Sequence, residues 1–479
     1  MSWGGENRNE LRTRLIWAML RSHGLSDALS RLEAEGQAIT PSVRTKIEHL
    51  QTLDSLSEDH FATLQEISAS EGPEWASFAA LISLSRYGAT SRMEQYAGFE
   101  RACSELKLTQ FVLQCVRVSQ CYQAIQSRNL KMAELYHAQA VECSKILDDD
   151  LVTISKPLLL RSKGLVAQNL GDYATANVAF RNALRESRAA SLTIAPLVAT
   201  ELGTIQWASG QFTDALEIHT DQAHRAGLAR LGPEWLIRSH LSAAKCAIDL
   251  NELTIAEQEL RAAGQLIRES EQVSELVRGY HDLYRGELTL LAGGQDSQRG
   301  FDLLESACDR FEGMDPPFHA GLLDAKISIT QYAIRTDDHV RMLQVLHNIL
   351  AEAESNGCLE ARARCMVLES SLFVSENPPL REAFDNLITR LHLINNPALL
   401  LQALGNLFIY SLRHLEQPDQ AFLMGRLRNL QRVLEESCFQ DLYERYIEQH
   451  YSWAIESRLA EFLERDNELT RDDESEPTL

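Results

Sequence analysis

Small residues recur along this chain at a near-constant interval. Ala97, Ala133, Ala176, Ala215, Ala256, Gly300, Ala383 and Ala421 each open a stretch of helical periodicity, and one slot, near Met342, holds a larger residue. From Ala97 to Ala421 is 324 residues in eight steps, a mean of 40.5. A period of this length means that one supersecondary unit is stacked many times, because no single unit can bury its apolar face alone. Helical stretches alternate with short breakers: Gly88-Ala89-Thr90, Asn169-Leu170-Gly171-Asp172, Ser209-Gly210, Leu250-Asn251, Gly293-Gly294, Asn377-Pro378-Pro379 and Gln417-Pro418-Asp419. Alternating β-branched runs bounded by turn pairs are absent from the sequence, so strands are not expected. The pattern predicts an all-α solenoid of antiparallel helix pairs.

The best-defined repeat carries a recognisable order of residues. Gly164 stands seven residues before Gly171, and Asn169-Leu170-Gly171-Asp172-Tyr173 leads into Ala176, Phe180 and Ala183-Leu184. Gly203, Gly210, Phe212 and Ala215 repeat the arrangement, with His219 in place of the later aromatic. This segment resembles a tetratricopeptide repeat (TPR), most closely over residues 160–260. The mean interval exceeds the family's usual period of about 34 residues, as in its extended members: kinesin light chain, spindle-orientation adaptors and sensor domains of large bacterial activators. The resemblance implies a right-handed superhelix of eight or nine helix pairs. The first helix of each pair would line an inner groove, and the second would form the outer wall.

On this reading residues 71–460 form the solenoid. Residues 1–70 fall outside the interval: Leu11–Arg21 and Leu25–Glu35 are amphipathic, and Thr40-Pro41 starts a third helix. They are expected to form a helical cap or a small helical module. A DNA-reading helix pair over Leu25–Leu50 is disfavoured by Glu33, Glu35 and Glu48. Residues 461–479 end in Asp472-Asp473-Glu474-Ser475-Glu476-Pro477 and read as an acidic, disordered tail.

Charge narrows the partners. The chain has 46 basic and 68 acidic residues, a formal net charge of −22, which disfavours direct binding to a phosphate backbone. Only eight of the cations are lysine; the other 38 are arginine. The nine cysteines include no Cys-x-x-Cys and sit mostly in apolar helical stretches, as expected of free thiols in a reducing compartment. The N-terminus lacks a secretory apolar core, and the most apolar run, Ala398–Leu412, contains Gln402 and Asn406. A cytoplasmic protein without a membrane span is therefore expected.

Catalytic signatures are missing. The sequence has no Gly-rich phosphate loop, no His-Glu-x-x-His and no nucleophile elbow. His219 and His224, five residues apart, would lie on different faces of one helix. Asp148-Asp149-Asp150 lacks the alternating oxygens of a Ca²⁺ loop. No enzyme activity, metal or cofactor is expected. What remains is the implied groove, whose positions follow by counting back from the small-residue marker. Fifteen residues before it stand Val118, Arg161, Thr200, Leu241 and Arg285. Eleven before it stand Tyr122, Leu165, Thr204, Lys245 and Thr289. Seven or eight before it stand Gln126, Gln168, Asn169, Trp207, Asp249 and Ala292. Arg238 lies one turn earlier on its helix, and Arg335 falls in the weakest repeat.

The expected partner-binding set is Tyr122, Arg161, Gln168, Asn169, Thr204, Trp207, Arg238, Lys245 and Arg285, a basic line with few acids opposite. Arginine and aromatic residues are the types that concentrate binding energy at interfaces. The asparagines of the family's clamp for chaperone tails are replaced here by Leu165 and Lys245, so that ligand is not implied. The expected function is a non-catalytic adaptor or scaffold that grips another protein through an acidic or extended segment. The alternative is a signalling protein whose solenoid senses a ligand or peptide. Homo-oligomerisation stays open.

Overall fold

The structure, a computed structural model, describes residues 60–414 except 72–75, 78, 82–92, 107–108, 127–128, 148, 271–272, 294–296, 316, 334–338, 374–380 and 395–396. Among the described residues every regular element is helical and no strand forms. The expected cap segments before residue 60, the acidic tail, Ala421, Met342 and Arg335 lie outside the described residues or side chains. The chain is an α-solenoid of helix pairs and divides into two compact units. One comprises residues up to Trp207 and Phe212–Phe318; the other comprises Ala208–Gln211 and the chain from His319 onward.

The first unit begins with α1 (His60–Glu71) and α2 (Met93–Glu105). Helix pairs follow: α3 (Gln110–Gln126) with α4 (Leu130–Ser144), and α5 (Asp149–Asn169) with α6 (Tyr173–Ala189). Next come α7 (Ala195–Ala208) and a second member split into α8 (Phe212–Thr220) and α9 (Gln222–Leu231). Then α10 (Pro233–Asp249) pairs with α11 (Leu253–Glu269), and α12 (Glu275–Ala292) with α13 (Ser297–Glu312).

Close backbone approach explains the repeated small residues. Ala133, Ala176, Ala215, Ala256 and Gly300 are all buried. Gly164 of α5 lies under the ring of Phe180 on α6, where a Cβ would come within 2.7 Å of Phe180 Cε1. Gly203 of α7 receives His219 of α8 in the same way, at 2.6 Å from the imidazole Nε2. The turns between partners also repeat. Gly171 takes φ 79° and Asn251 takes φ 58°, the left-handed region that glycine and asparagine tolerate best. The next N–H returns to the helix just ended, Asp172 to the Ala167 carbonyl and Glu252 to that of Ala247. Asp172 then caps α6 by accepting from the Thr175 N–H at 3.0 Å.

Three features depart from the regular interval. Ala97 is exposed while Tyr96 and Phe99 beside it are buried, and Ala383 is half-buried while Phe384 is fully buried. In both places a large ring takes the buried side of the helix, which turns the small residue outward. In α12–α13 the contact glycines are Gly286 and Gly300, fourteen apart, whereas Gly164 and Gly203 stand twelve before their markers. Two residues of shift rotate a helix face by about 200°. Finally, Asp221 interrupts the second helix of its pair and caps α9, accepting from the Ala223 and His224 N–H groups.

The second unit contains α14 (His319–Ala333), α15 (His339–Ser355), α16 (Leu359–Leu372), α17 (Arg381–Arg390) and α18 (Pro397–His414). Its core centres on Phe373, Phe384 and Tyr410, whose ring centroids lie 5.1 to 5.8 Å apart. Glu369 is buried in the same unit, and both its carboxylate oxygens accept from Arg390 Nη2, at 2.7 and 2.8 Å. That pairing offsets the large cost of burying its charge.

Candidate functional site

The first helices of the first unit are joined to one another by polar side chains. Arg161 of α5 grips Glu201 of α7 with Nε at 2.9 Å from both carboxylate oxygens and Nη2 at 2.6 Å from one. On its other side, Arg161 Nη1 donates to the Tyr122 hydroxyl of α3 at 3.3 Å, and the guanidinium lies 4.9 Å from that ring's centroid. Burial pushes the Tyr122 phenol up to about 12. Burial also opposes the charge of Arg161, but Glu201 and Tyr122 overcome that and hold the guanidinium above its ordinary value. One cation thus bridges three consecutive first helices.

A second group continues the chain of contacts. Trp207 Nε1 of α7 donates to Asp249 of α10 at 2.6 Å. Lys245 donates to that same Asp249 at 3.0 Å and to Glu287 of α12 at 3.1 Å, 6.0 Å from the centroid of Tyr284. Each contact between neighbouring helices joins residues 39 to 42 apart in sequence. Of the acids, only Asp249 was expected in the groove; Glu201 and Glu287 were not. The expected basic line is therefore corrected: Arg161 faces Glu201, Lys245 faces Asp249 and Glu287, and Arg238 binds Glu234 of its own helix at 2.7 Å. Glu201 sits one residue beyond Thr200, the position that corresponds to Arg161 of the preceding repeat.

The other expected residues are distributed as follows. Thr204 Oγ1 donates to the Thr200 carbonyl, and Asn169 Nδ2 donates to that of Leu165, so each is tied to its own helix. Gln168, Asn169, Thr204 and Trp207 are all half-buried. Val118 and Leu241, counted to the groove by the same interval, are core residues. Arg285 leaves the line altogether. It borders a cleft between α11 and α12, because the shifted glycine contact of α12–α13 has rotated its face.

A third group lies at the α8–α9 break. His219 and His224 occupy different helices, not two faces of one, with ring centroids 6.4 Å apart. Burial pushes His219 down to about 3 and His224 to about 4, so both are neutral at pH 7. Around them Arg225 donates to the His219 carbonyl and to Glu259, and His240 Nδ1 lies 2.7 Å from the same Glu259 oxygen. Burial works against the ionised Glu259, but the bonds from His240 and Arg225 hold its carboxyl below the usual range. These side chains fasten the break.

Among the described residues no cluster of His, Cys, Asp or Glu could hold a metal ion, and no helix is long and apolar enough to cross a membrane. The eight described cysteines are free, and burial raises the thiol of Cys121 to about 12, far from the reactive thiolate.

The fold and side-chain arrangement define a class: an α-solenoid of helix pairs whose first helices carry a cross-linked polar face. No protein-family profile matches the sequence, and no curated protein matches it. Among solved structures, the chain is similar to a Rap protein crystallised in complex with competence and sporulation factor. The TM-score is 0.57 at 12% identity, covering 79% of this chain and 99% of that one. At this identity the likeness is one of fold.

Proposed function

We propose that this chain is an extended tetratricopeptide-repeat protein that binds a peptide or an extended segment of another protein on the first-helix face of α3, α5, α7 and α10. It does so without catalysis and in the cytoplasm. The observation that carries the reading is the fixed orientation of Tyr122 and Trp207. Each aromatic is tied by a hydrogen bond to a charged residue of the next first helix, Tyr122 to Arg161 and Trp207 to Asp249. Aromatic groups already locked in place lose little entropy on binding. Gln168 and Asn169 stand on α5, the first helix between the two aromatics, with amide groups that can both donate to and accept from a peptide backbone. Binding specificity would then come from shape and amide contacts more than from net charge, since the cations of this face are already paired.

A regulatory role is favoured over a passive scaffold by one observation, the fold likeness to a Rap protein crystallised with a factor bound. Affinity purification from native cytosol with the wild-type chain and with a Gln168→Ala/Trp207→Ala variant tests the reading. A stoichiometric protein retained by the first and lost from the second supports it. Equal recovery on both would move the binding surface elsewhere. Loss of all protein partners, together with a rise in melting temperature in a peptide-containing extract, would favour the ligand sensor.

A further inference from the structure

The cleft between α11 and α12 differs from the first-helix face in one respect: two of its three cations, Arg268 and Arg285, face no carboxylate among the described residues. Its volume is about 570 Å³, within the range of ligand sites. Leu253, Leu260 and Leu288 line it together with Arg261, Arg268 and Arg285. Arg261 is paired only with the exposed Glu257 one turn away. Among the described residues, the guanidinium groups of Arg268 and Arg285 make no hydrogen bond or ion pair. Both are exposed. Arg161, Arg225, Arg310 and Lys245 in the same unit are each bonded to carboxylates on other helices.

We infer that this cleft is a second docking surface, distinct from the first-helix face, for an acidic amphipathic segment of a partner protein. Charge complementarity fixes the sign, because three arginines line the cleft against one carboxylate, Glu257, in a chain of net charge −22. The mixed lining sets the class, since Leu253 and Leu288 between the arginines offer apolar contacts that a small inorganic anion cannot use. A nucleic acid would extend well beyond the cleft and meet the repulsion of a chain of net charge −22. Arg261 and Arg268 are seven residues apart on α11, two turns or about 10 Å along the axis. A helical segment with carboxylates two turns apart and leucines between them on the same face matches that spacing. Arg285 adds a cation from α12.

The test uses the full chain and a fluorescein-labelled helical peptide with two glutamates two turns apart and leucines between them. Anisotropy should report binding that weakens as salt rises. An Arg268→Glu/Arg285→Glu variant should bind at least tenfold more weakly with its melting temperature unchanged, because neither side chain supports the fold. Glutamine in place of both glutamates should have the same effect. The Gln168→Ala/Trp207→Ala variant should bind the peptide as the wild type does, so failure of the first-helix face leaves this result standing. Absence of binding at millimolar peptide, equal affinity for the arginine double variant, or displacement by inorganic phosphate alone would overturn the inference.

Discussion

The pairs α5–α6 and α7–α8 share one architecture and differ in one ring. In the first, Phe180 lies on Gly164, and α6 runs unbroken from Tyr173 to Ala189. In the second, His219 lies on Gly203 at the same place, and the helix stops at Thr220 before resuming as α9. A phenyl ring needs nothing from its surroundings but contact. A buried imidazole brings polar atoms that must be met or left unpaired; Nδ1 of both His219 and His224 has no partner. The comparison teaches that the glycine sets the helix separation, while the group inserted over it determines how polar the neighbourhood becomes.

The largest expected effect lies on the glycine. Gly164→Leu should cost about 3 kcal/mol, because a branched side chain would have to displace the fully buried Phe180. An unchanged thermal melt would mean that the helices are not held by this contact. The next effect separates the two rings by acid. The neutral forms of His219 and His224 are the ones the fold accepts, while the unfolded chain takes up protons near pH 6.5. Their contribution is fully present above that pH and declines as pH falls toward the folded values of about 3 and about 4. Each histidine should therefore withdraw about 2 kcal/mol between pH 7 and pH 5. His219→Phe, which copies the Phe180 arrangement, should recover about half of the total loss in denaturant titrations at the two pH values. If both proteins lose stability equally, His219 is not the source.

A smaller effect belongs to the break itself. Asp221→Ala removes the acceptor for two N–H groups of α9 and should cost about 1 kcal/mol. A gain in stability would indicate that α8 and α9 had fused into one helix like α6. The smallest effect checks where the small-residue interval fails. Ala97→Leu should change the melt by less than about 0.5 kcal/mol, because Ala97 is exposed.

These contrasts bear on how much the amino-acid order revealed. The helix pairs, the breaks at Gly171 and Asn251, and the contacts at Ala133 through Gly300 were legible, since each depends on residues close together in sequence. The exposed Ala97 was not, because burial there is decided by Tyr96 and Phe99, and an interval that counts small residues ignores rings. The helix break was hidden because Asp221 reads as an ordinary surface acid until its carboxylate is seen capping α9. Tyr122, Arg161, Trp207 and Lys245 were found as a set, but their partners Glu201, Asp249 and Glu287 were not matched to them. Pairing across about one repeat length is a property of how neighbouring repeats are stacked, and no single repeat encodes it. Arg285 was assigned to the same line by counting, and two residues of shift at Gly286 turned it elsewhere.

The bridging role of Arg161 has a consequence for how such a chain can change over generations. A string of identical modules can be lengthened or shortened by copying and deletion, since any unit fits beside any other. Here Arg161 requires a hydroxyl-bearing ring on the helix before it and a carboxylate on the helix after it. Excising residues 149–189 would bring Tyr122 up against Glu201 with the cation between them gone. Each helix pair is thus keyed to its own place in the order, and the array can be edited residue by residue far more readily than repeat by repeat.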